Sequence, residues 1–200
     1  MQADGQGVPE VLELLATDLD SHFHYLVLSF QQRLYTFALR QSGSPQDAED
    51  IVQETFIRAY HALADYPPER IRAMKIQAWL YKIALNVFYR QRGGSQAQSV
   101  SLDQPDASEI LLALPDDDRL QPEHIFEGRE SLRELERLIS HVPASYRLAV
   151  SCYYLEELSY REIAELLNQP IGTVKGNIYR GTQFLRNALS TYRDESLRLT

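Results

Sequence analysis

The chain has 200 residues, 44% of them hydrophobic, with 20 Lys and Arg against 28 Asp and Glu and a formal net charge of −8. That length suits one or two small domains with real cores, and a single cysteine, Cys152, excludes a disulfide framework and a thiolate zinc site. No apolar run approaches the ~20 residues of a membrane span, and the polar, acidic start MQADGQGVPE does not read as a signal peptide, so a cytoplasmic location is expected.

Up to about Thr17 there is little pattern beyond VLELLA, and residues 1–19 are expected to be a loosely held N-terminal extension. From Asp20 to about Arg40, Phe23, Leu26, Val27, Phe30, Leu34 and Phe37 recur at helical spacing, and Gln41-Ser42-Gly43 is a fitting stop. Ser44 and Pro45 then suit the N-cap and first position of a second helix, with Asp47 in its first turn. Ala48, Ile51, Val52, Thr55, Phe56, Ala59 and Leu63 form its apolar stripe. Its other face carries Glu49, Asp50, Gln53, Glu54 and Arg58, which reads as a solvated face or as an acidic docking face for a basic partner. A metal site is not expected, because no histidine or second carboxylate cluster joins these carboxylates.

Asp65-Tyr66-Pro67-Pro68 interrupts the chain, and a helix is expected to resume near residues 70–74 and run to about Arg92. Between Asp65 and Arg92, six basic residues (Arg70, Arg72, Lys75, Lys82, Arg90 and Arg92) outnumber two acidic ones. Lys82, Asn86 and Arg90 share one face at i, i+4 and i+8, and Tyr66, Tyr81, Phe88 and Tyr89 lie among the charges. Basic residues interleaved with aromatics suit single-stranded nucleic acid, whose bases stack on rings. The same pattern also fits core aromatics beneath a solvated basic face, and Trp79 is expected in the core.

Residues 93–127 lose periodicity, are rich in Gly, Ser, Gln, Pro and Asp, and carry a net charge of −7, which marks an acidic linker. Ile110 to Leu114 is its one apolar patch. Residues 128–141 then form a helix with Leu132, Leu135, Leu138 and Ile139 inward. Pro143 opens another, containing Tyr146, Leu148, Ala149, Val150 and Tyr153, where Cys152 reads as a small core residue.

Residues 159–189, SYREIAELLNQPIGTVKGNIYRGTQFLRNAL, organise the C-terminal half. Ser159 and Glu162 make a capping box, and Ile163, Ala164 and Leu167 an apolar face. Asn168-Gln169-Pro170 breaks that helix, with Pro170 placed to open the next one. Val174, Ile178, Gly181 and Leu185 are the stripe of a longer second helix. A short helix, a brief turn and a longer helix is the helix-turn-helix layout, whose second helix enters the DNA major groove. Lys175, Arg180, Arg186 and Arg193, with no acidic residue between 168 and 193, support a phosphate-facing surface, although a solvated helix in an ordinary bundle carries the same pattern. The expected fold is all-α: two small helical domains, each with a basic patch, joined by a flexible acidic linker. Two nucleic-acid-facing modules on a tether gain from effective concentration.

At the level of motifs, AEDIVQETFIRAY (48–60) and WLYKIALN (79–86) resemble the second conserved region of bacterial RNA polymerase sigma factors. VPASYR (142–147), LEELSYREIAELL (155–167) and PIGTVKGNIYRG (170–181) resemble their fourth region. Only these two regions are present, in the order and spacing of the short extracytoplasmic-function type. The resemblance covers about three quarters of the chain, with residues 20–92 as region 2 and 128–200 as region 4.

The resemblance implies roles. Asp47, Asp50, Gln53 and Glu54 would bind the clamp helices of the polymerase's largest subunit. Tyr66, Arg70, Arg72, Lys75, Lys82, Asn86, Tyr89 and Arg90 would take the −10 promoter element as it melts, with Asn86 and the preceding loop holding a flipped-out base. Tyr160, Arg161, Thr173, Lys175, Gly176, Asn177, Tyr179 and Arg180 would meet the −35 element. The acidic linker would thread toward the polymerase's active-site and RNA-exit region. Core RNA polymerase, including the flap of its second-largest subunit, promoter DNA and an anti-sigma factor are the implied partners, with no cofactor and no catalysis.

This sequence departs from the family at Gly176-Asn177, where Ser-Arg is frequent, and at Gly181-Thr182, where Ala-Arg is frequent. Asn177 could instead offer adenine a paired contact. The loop 66–77 carries two prolines and lacks the usual phenylalanine, for which Tyr66 would substitute. A stand-alone helix-turn-helix regulator is the alternative, but it leaves the acidic helix and linker without a role. A sigma-like mimic that sequesters an anti-sigma factor is a third reading.

Overall fold

A computed structural model describes residues 7–92 and 129–198, with side chains placed for residues 7–92 and 135–187. The linker at 93–127, with Ile110 to Leu114, lies outside the described residues, as do the side chains of Leu132 and Arg193. The described residues are helical, and the chain divides into two compact units, Met1–Gln98 and Ser99–Thr200.

In the first unit, α1 (Gly7–Thr17), α2 (Leu19–Ser42), α3 (Pro45–Ala64), α4 (Pro68–Arg72) and α5 (Ile76–Gln91) follow one another. Side-chain caps set the boundaries of α2 and α3. Asp18 accepts the Ser21 amide at the start of α2, and Gly43, at φ 71°, ends it by donating its N–H to Leu39. Only a residue tolerant of the left-handed region closes a helix this way. Ser44 then caps α3 by accepting the Asp47 amide, with Pro45 behind it. The expected stripes meet in one core. Leu26, Leu34 and Phe37 of α2, Ile51 and Leu63 of α3, and Leu80 and Tyr81 of α5 are almost fully buried. Each side chain of that size contributes roughly 1.5–3 kcal/mol by leaving water. Thr55, the polar member of the α3 stripe, is satisfied by donating to the Ile51 carbonyl at 2.6 Å.

Three expectations are corrected here. From Gly7 on, the N-terminal extension is not loosely held: α1 buries Val11, Leu12 and Leu15 against α2 and α4. The helix expected from about residue 70 to Arg92 is two helices. Lys75 has φ −84° and ψ 76°, outside the helical region, so the chain turns between buried Ile71 and buried Ile76. Trp79 is half-buried beside Tyr66, whereas Tyr81 is core, 4.7 Å from Phe37 between ring centroids.

In the second unit, α6 (Arg129–Ser140), α7 (Ala144–Tyr154), α8 (Tyr160–Leu167) and α9 (Ile171–Arg198) gather around Leu135, Leu138, Ile139, Val142, Val150 and Leu185. Cys152 is fully buried. The α7–α9 crossing is close because of Gly181: a Cβ there would stand 2.3 Å from Val150 Cγ2. Tyr154 and Thr182 share a 2.9 Å hydrogen bond across the same pair, so Thr182 joins two helices.

Candidate nucleic-acid interface

The α8–turn–α9 segment is built by local chemistry. The Glu162 carboxylate accepts from the Ser159 amide at 2.9 Å and hydroxyl at 2.6 Å, and the Ser159 hydroxyl accepts the Glu162 amide at 3.3 Å, completing the capping box. Tyr160, Ile163 and Leu166 are the buried face of α8, with Ala164 and Leu167 half-buried, a register shifted slightly from the expected one. Asn168 ends the helix in the left-handed region, φ 52° and ψ 46°, a conformation that Asn tolerates better than most residues. Pro170 stands just before α9 rather than inside it, its carbonyl accepting the Val174 amide at 3.2 Å. Val174, Ile178, Gly181 and Leu185 are the buried stripe, as expected.

Of the residues expected near duplex DNA, Arg161 and Tyr179 are exposed, and Thr173, Lys175, Gly176 and Arg180 are half-buried. Arg180 folds along the helix, its Nη1 3.8 Å from where a Gly176 Cβ would stand. Two placements differ. Asn177 is 4% exposed and faces inward, so it offers no adenine contact, and Tyr160 is 6% exposed. The spacing already carried the Asn177 result: it lies three residues after Val174 and four before Gly181, on the same stripe. Tyr160 stacks on Tyr153 with centroids 5.0 Å apart, and the Lys175 ammonium lies 5.6 Å from the Tyr160 ring centre.

The first unit presents two surfaces. On α3, Asp47, Asp50 and Gln53 are exposed and Glu54 is half-buried, in an ion pair with Arg58 at 2.6 Å. Asp50, Gln53, Glu54, Ile57 and Arg58 line a groove whose far wall is Val87, Arg90 and Gln91 of α5. Arg90, expected with the −10 residues, thus also borders the acidic face. On the other surface, Arg70 stacks over Tyr66, with 3.6 Å from its guanidinium carbon to the ring centre, and Tyr66 neighbours Trp79 at 6.1 Å. Lys75, Lys82 and Asn86 are exposed and Tyr89 is half-buried, while Tyr81 and Phe88 are core.

Arg72 is held in a way the sequence did not indicate. Its Nε and Nη2 donate to the Glu13 carboxylate at 2.8 and 3.0 Å. That bond lowers the Glu13 pKa from its ordinary 4.5 and raises that of Arg72. Periodicity reports neighbours on one helix, and it carries no signal for a pair separated by 59 residues. Among the described residues, no group of three His, Cys, Asp or Glu side chains is placed to hold a metal ion, and no helix is long and apolar enough to cross a membrane.

Compared with known proteins, residues 26–96 match the family described as Sigma-70 region 2, and residues 132–185 match Sigma-70, region 4. The chain is 33% identical over 174 residues to the ECF RNA polymerase sigma factor SigE of Mycolicibacterium smegmatis, covering 86% of this chain and 63% of that protein. It is 34% identical over 170 residues to the ECF sigma factor SigW of Bacillus subtilis, covering 84% and 88%. To the ECF sigma-E factor of Escherichia coli K12 it is 30% identical over 167 residues, covering 82% and 85%. Among solved structures, the fold resembles CnrH in its complex with the cytosolic domain of CnrY, with a TM-score of 0.57 and 22% identity over 93% of this chain and 99% of that one. It also resembles the sigma factor RpoE in complex with the anti-sigma factor NepR from Bartonella quintana, with a TM-score of 0.55 and 22% identity over 84% and 96%.

Proposed function

The chain belongs to the extracytoplasmic-function sigma factors of the sigma-70 family, and on that premise we propose how its surface divides the work. As an alternative sigma factor it directs promoter recognition and transcription initiation by RNA polymerase. The exposed acidic face of α3, with Asp47, Asp50, Gln53 and Glu54, docks on the clamp helices of the polymerase's largest subunit. Tyr66, Arg70, Lys75, Lys82, Asn86, Tyr89 and Arg90 receive the melted −10 strand, with bases stacking on the Tyr66–Trp79 pair. Arg72 joins them at the edge, where Glu13 competes for it. Arg161, Thr173, Lys175, Gly176, Tyr179 and Arg180 face the −35 duplex, and the second unit also meets the flap of the second-largest subunit.

The protein works in the cytoplasm, has no catalytic activity of its own, and is a target for an anti-sigma factor. The observation that carries this reading is the capped helix-turn-helix, whose second helix keeps Lys175 and Arg180 at its start. A randomised duplex pool tests it, selected once with the free chain and once with the chain bound to core polymerase. A defined promoter sequence should emerge only with polymerase. Tight selection of a defined duplex by the free chain would contradict it and favour a stand-alone regulator.

A further inference from the structure

Lys175 is a long, flexible side chain, and an unconfined lysine loses ~2 kcal/mol of rotamer freedom when it is pinned on a phosphate or a guanine edge. Here it is confined in advance. Its ammonium lies 5.6 Å from the centre of the Tyr160 ring, within the ~6 Å reach of a cation–π contact. The ring is itself fixed. It is 6% exposed, its plane lies 11° from that of Tyr153 at a centroid distance of 5.0 Å, and Tyr160 is the first helical residue after the N-cap Ser159, inside the Ser159–Glu162 capping box. Three elements thus contribute one member each: Tyr153 near the end of α7, Tyr160 at the start of α8 and Lys175 in the second turn of α9. Arg180, another cation of this surface, lies along its own helix beside Gly176 instead.

We propose that Tyr160, backed by Tyr153, is a positioning residue that holds the Lys175 ammonium toward the −35 duplex and so sets both affinity and the salt dependence of that contact. The proposal rests on the reading of α9 as the duplex-facing helix. Tyr160 acts through Lys175 rather than by touching DNA, which reconciles its burial with a place in recognition.

The test uses the full chain bound to core polymerase. The probe is the duplex most enriched from a randomised pool by the unmodified complex. Affinity is measured over a range of salt for Lys175→Met, Tyr160→Leu, Tyr160→Phe and the double variant Tyr160→Leu/Lys175→Met. Lys175→Met should weaken binding and reduce the salt slope by about 1. Tyr160→Leu should lose about three- to five-fold, the size of an exposed cation–π contact, and shift the slope in the same direction. Tyr160→Phe, which keeps the ring, should recover most of that loss. On the Lys175→Met background, Tyr160→Leu should cost nothing further. Equal losses on both backgrounds, with an unchanged slope, would overturn the proposal and leave Tyr160 a packing residue. A Lys175→Met variant with wild-type affinity and slope would overturn the duplex-facing reading as well, so the two failures are distinguishable. Should Tyr160→Leu not fold, the unmodified chain still answers: the Lys175 ε-methylene protons should show an upfield ring-current shift in NMR, and its absence would overturn the proposal.

Discussion

Two single positions carry opposite strains. Glu157 sits at φ 55° with a side chain that disfavours the left-handed region. Glu157→Gly should therefore raise the stability of the second unit by about 1 kcal/mol, read from the denaturant midpoint. Gly181 is the reverse case. A Cβ would meet Val150 at 2.3 Å, and Val150 is fully buried, so it has nowhere to go. Gly181→Ala should cost about 1–3 kcal/mol by overpacking, despite alanine's better helix propensity. The Arg72–Glu13 pair adds a pH dependence. The Glu13 pKa is lowered in the folded chain, chiefly by its hydrogen bond to Arg72. The hold of α1 on α4 should thus be in place above the ordinary value of 4.5 and fade as pH falls through the lowered one. Protection factors of the α1 amides, corrected for intrinsic exchange, should fall from pH 6 to pH 3, and Glu13→Gln should reduce that difference.

Among the helices, local chemistry was legible and long-range chemistry was not. Gly43, Ser44 with Pro45, and Ser159 with Glu162 each act within four residues, so their sequence signals correspond directly to the caps observed. The apolar stripes of α2, α3 and α9 followed from helical spacing for the same reason. The spacing on α5 alone favours Trp79 over Tyr81 for the core, because it does not show what the facing element offers: Phe37 of α2 packs on Tyr81, while Trp79 is half-buried beside Tyr66.

 The sequence does not announce α1, because its apolar residues cluster in one short eleven-residue segment and its burial depends on α4, a partner more than fifty residues away. Ser159→Ala tests the capping box as an element: losing the two bonds its hydroxyl makes with Glu162, while the backbone N–H at 159 still reaches the Glu162 carboxylate, should cost about 1 kcal/mol and weaken promoter binding by tilting the start of α8. Thermal unfolding beside promoter affinity would check both.

At the scale of the whole molecule, the two units match different regions of the family, residues 26–96 region 2 and residues 132–185 region 4. The acidic residues 93–127, net −7, join the unit proposed to carry the polymerase-docking and −10 surfaces to the one that carries the helix-turn-helix. On that proposal, docking the first unit on polymerase would give the second a high effective concentration at its duplex, and the free chain is expected to bind DNA weakly.

The most direct measurement is size-exclusion co-elution with purified bacterial core RNA polymerase, comparing the unmodified chain with an Asp50→Lys/Glu54→Lys variant. Both positions lie on the α3 wall of the groove, and the Glu54–Arg58 pair is only partly buried, so losing it should cost about 1 kcal/mol of stability or less. The unmodified chain should travel with polymerase and the folded variant should not. An unmodified chain that elutes alone, or a variant that travels with polymerase equally well, would contradict docking through the acidic face of α3.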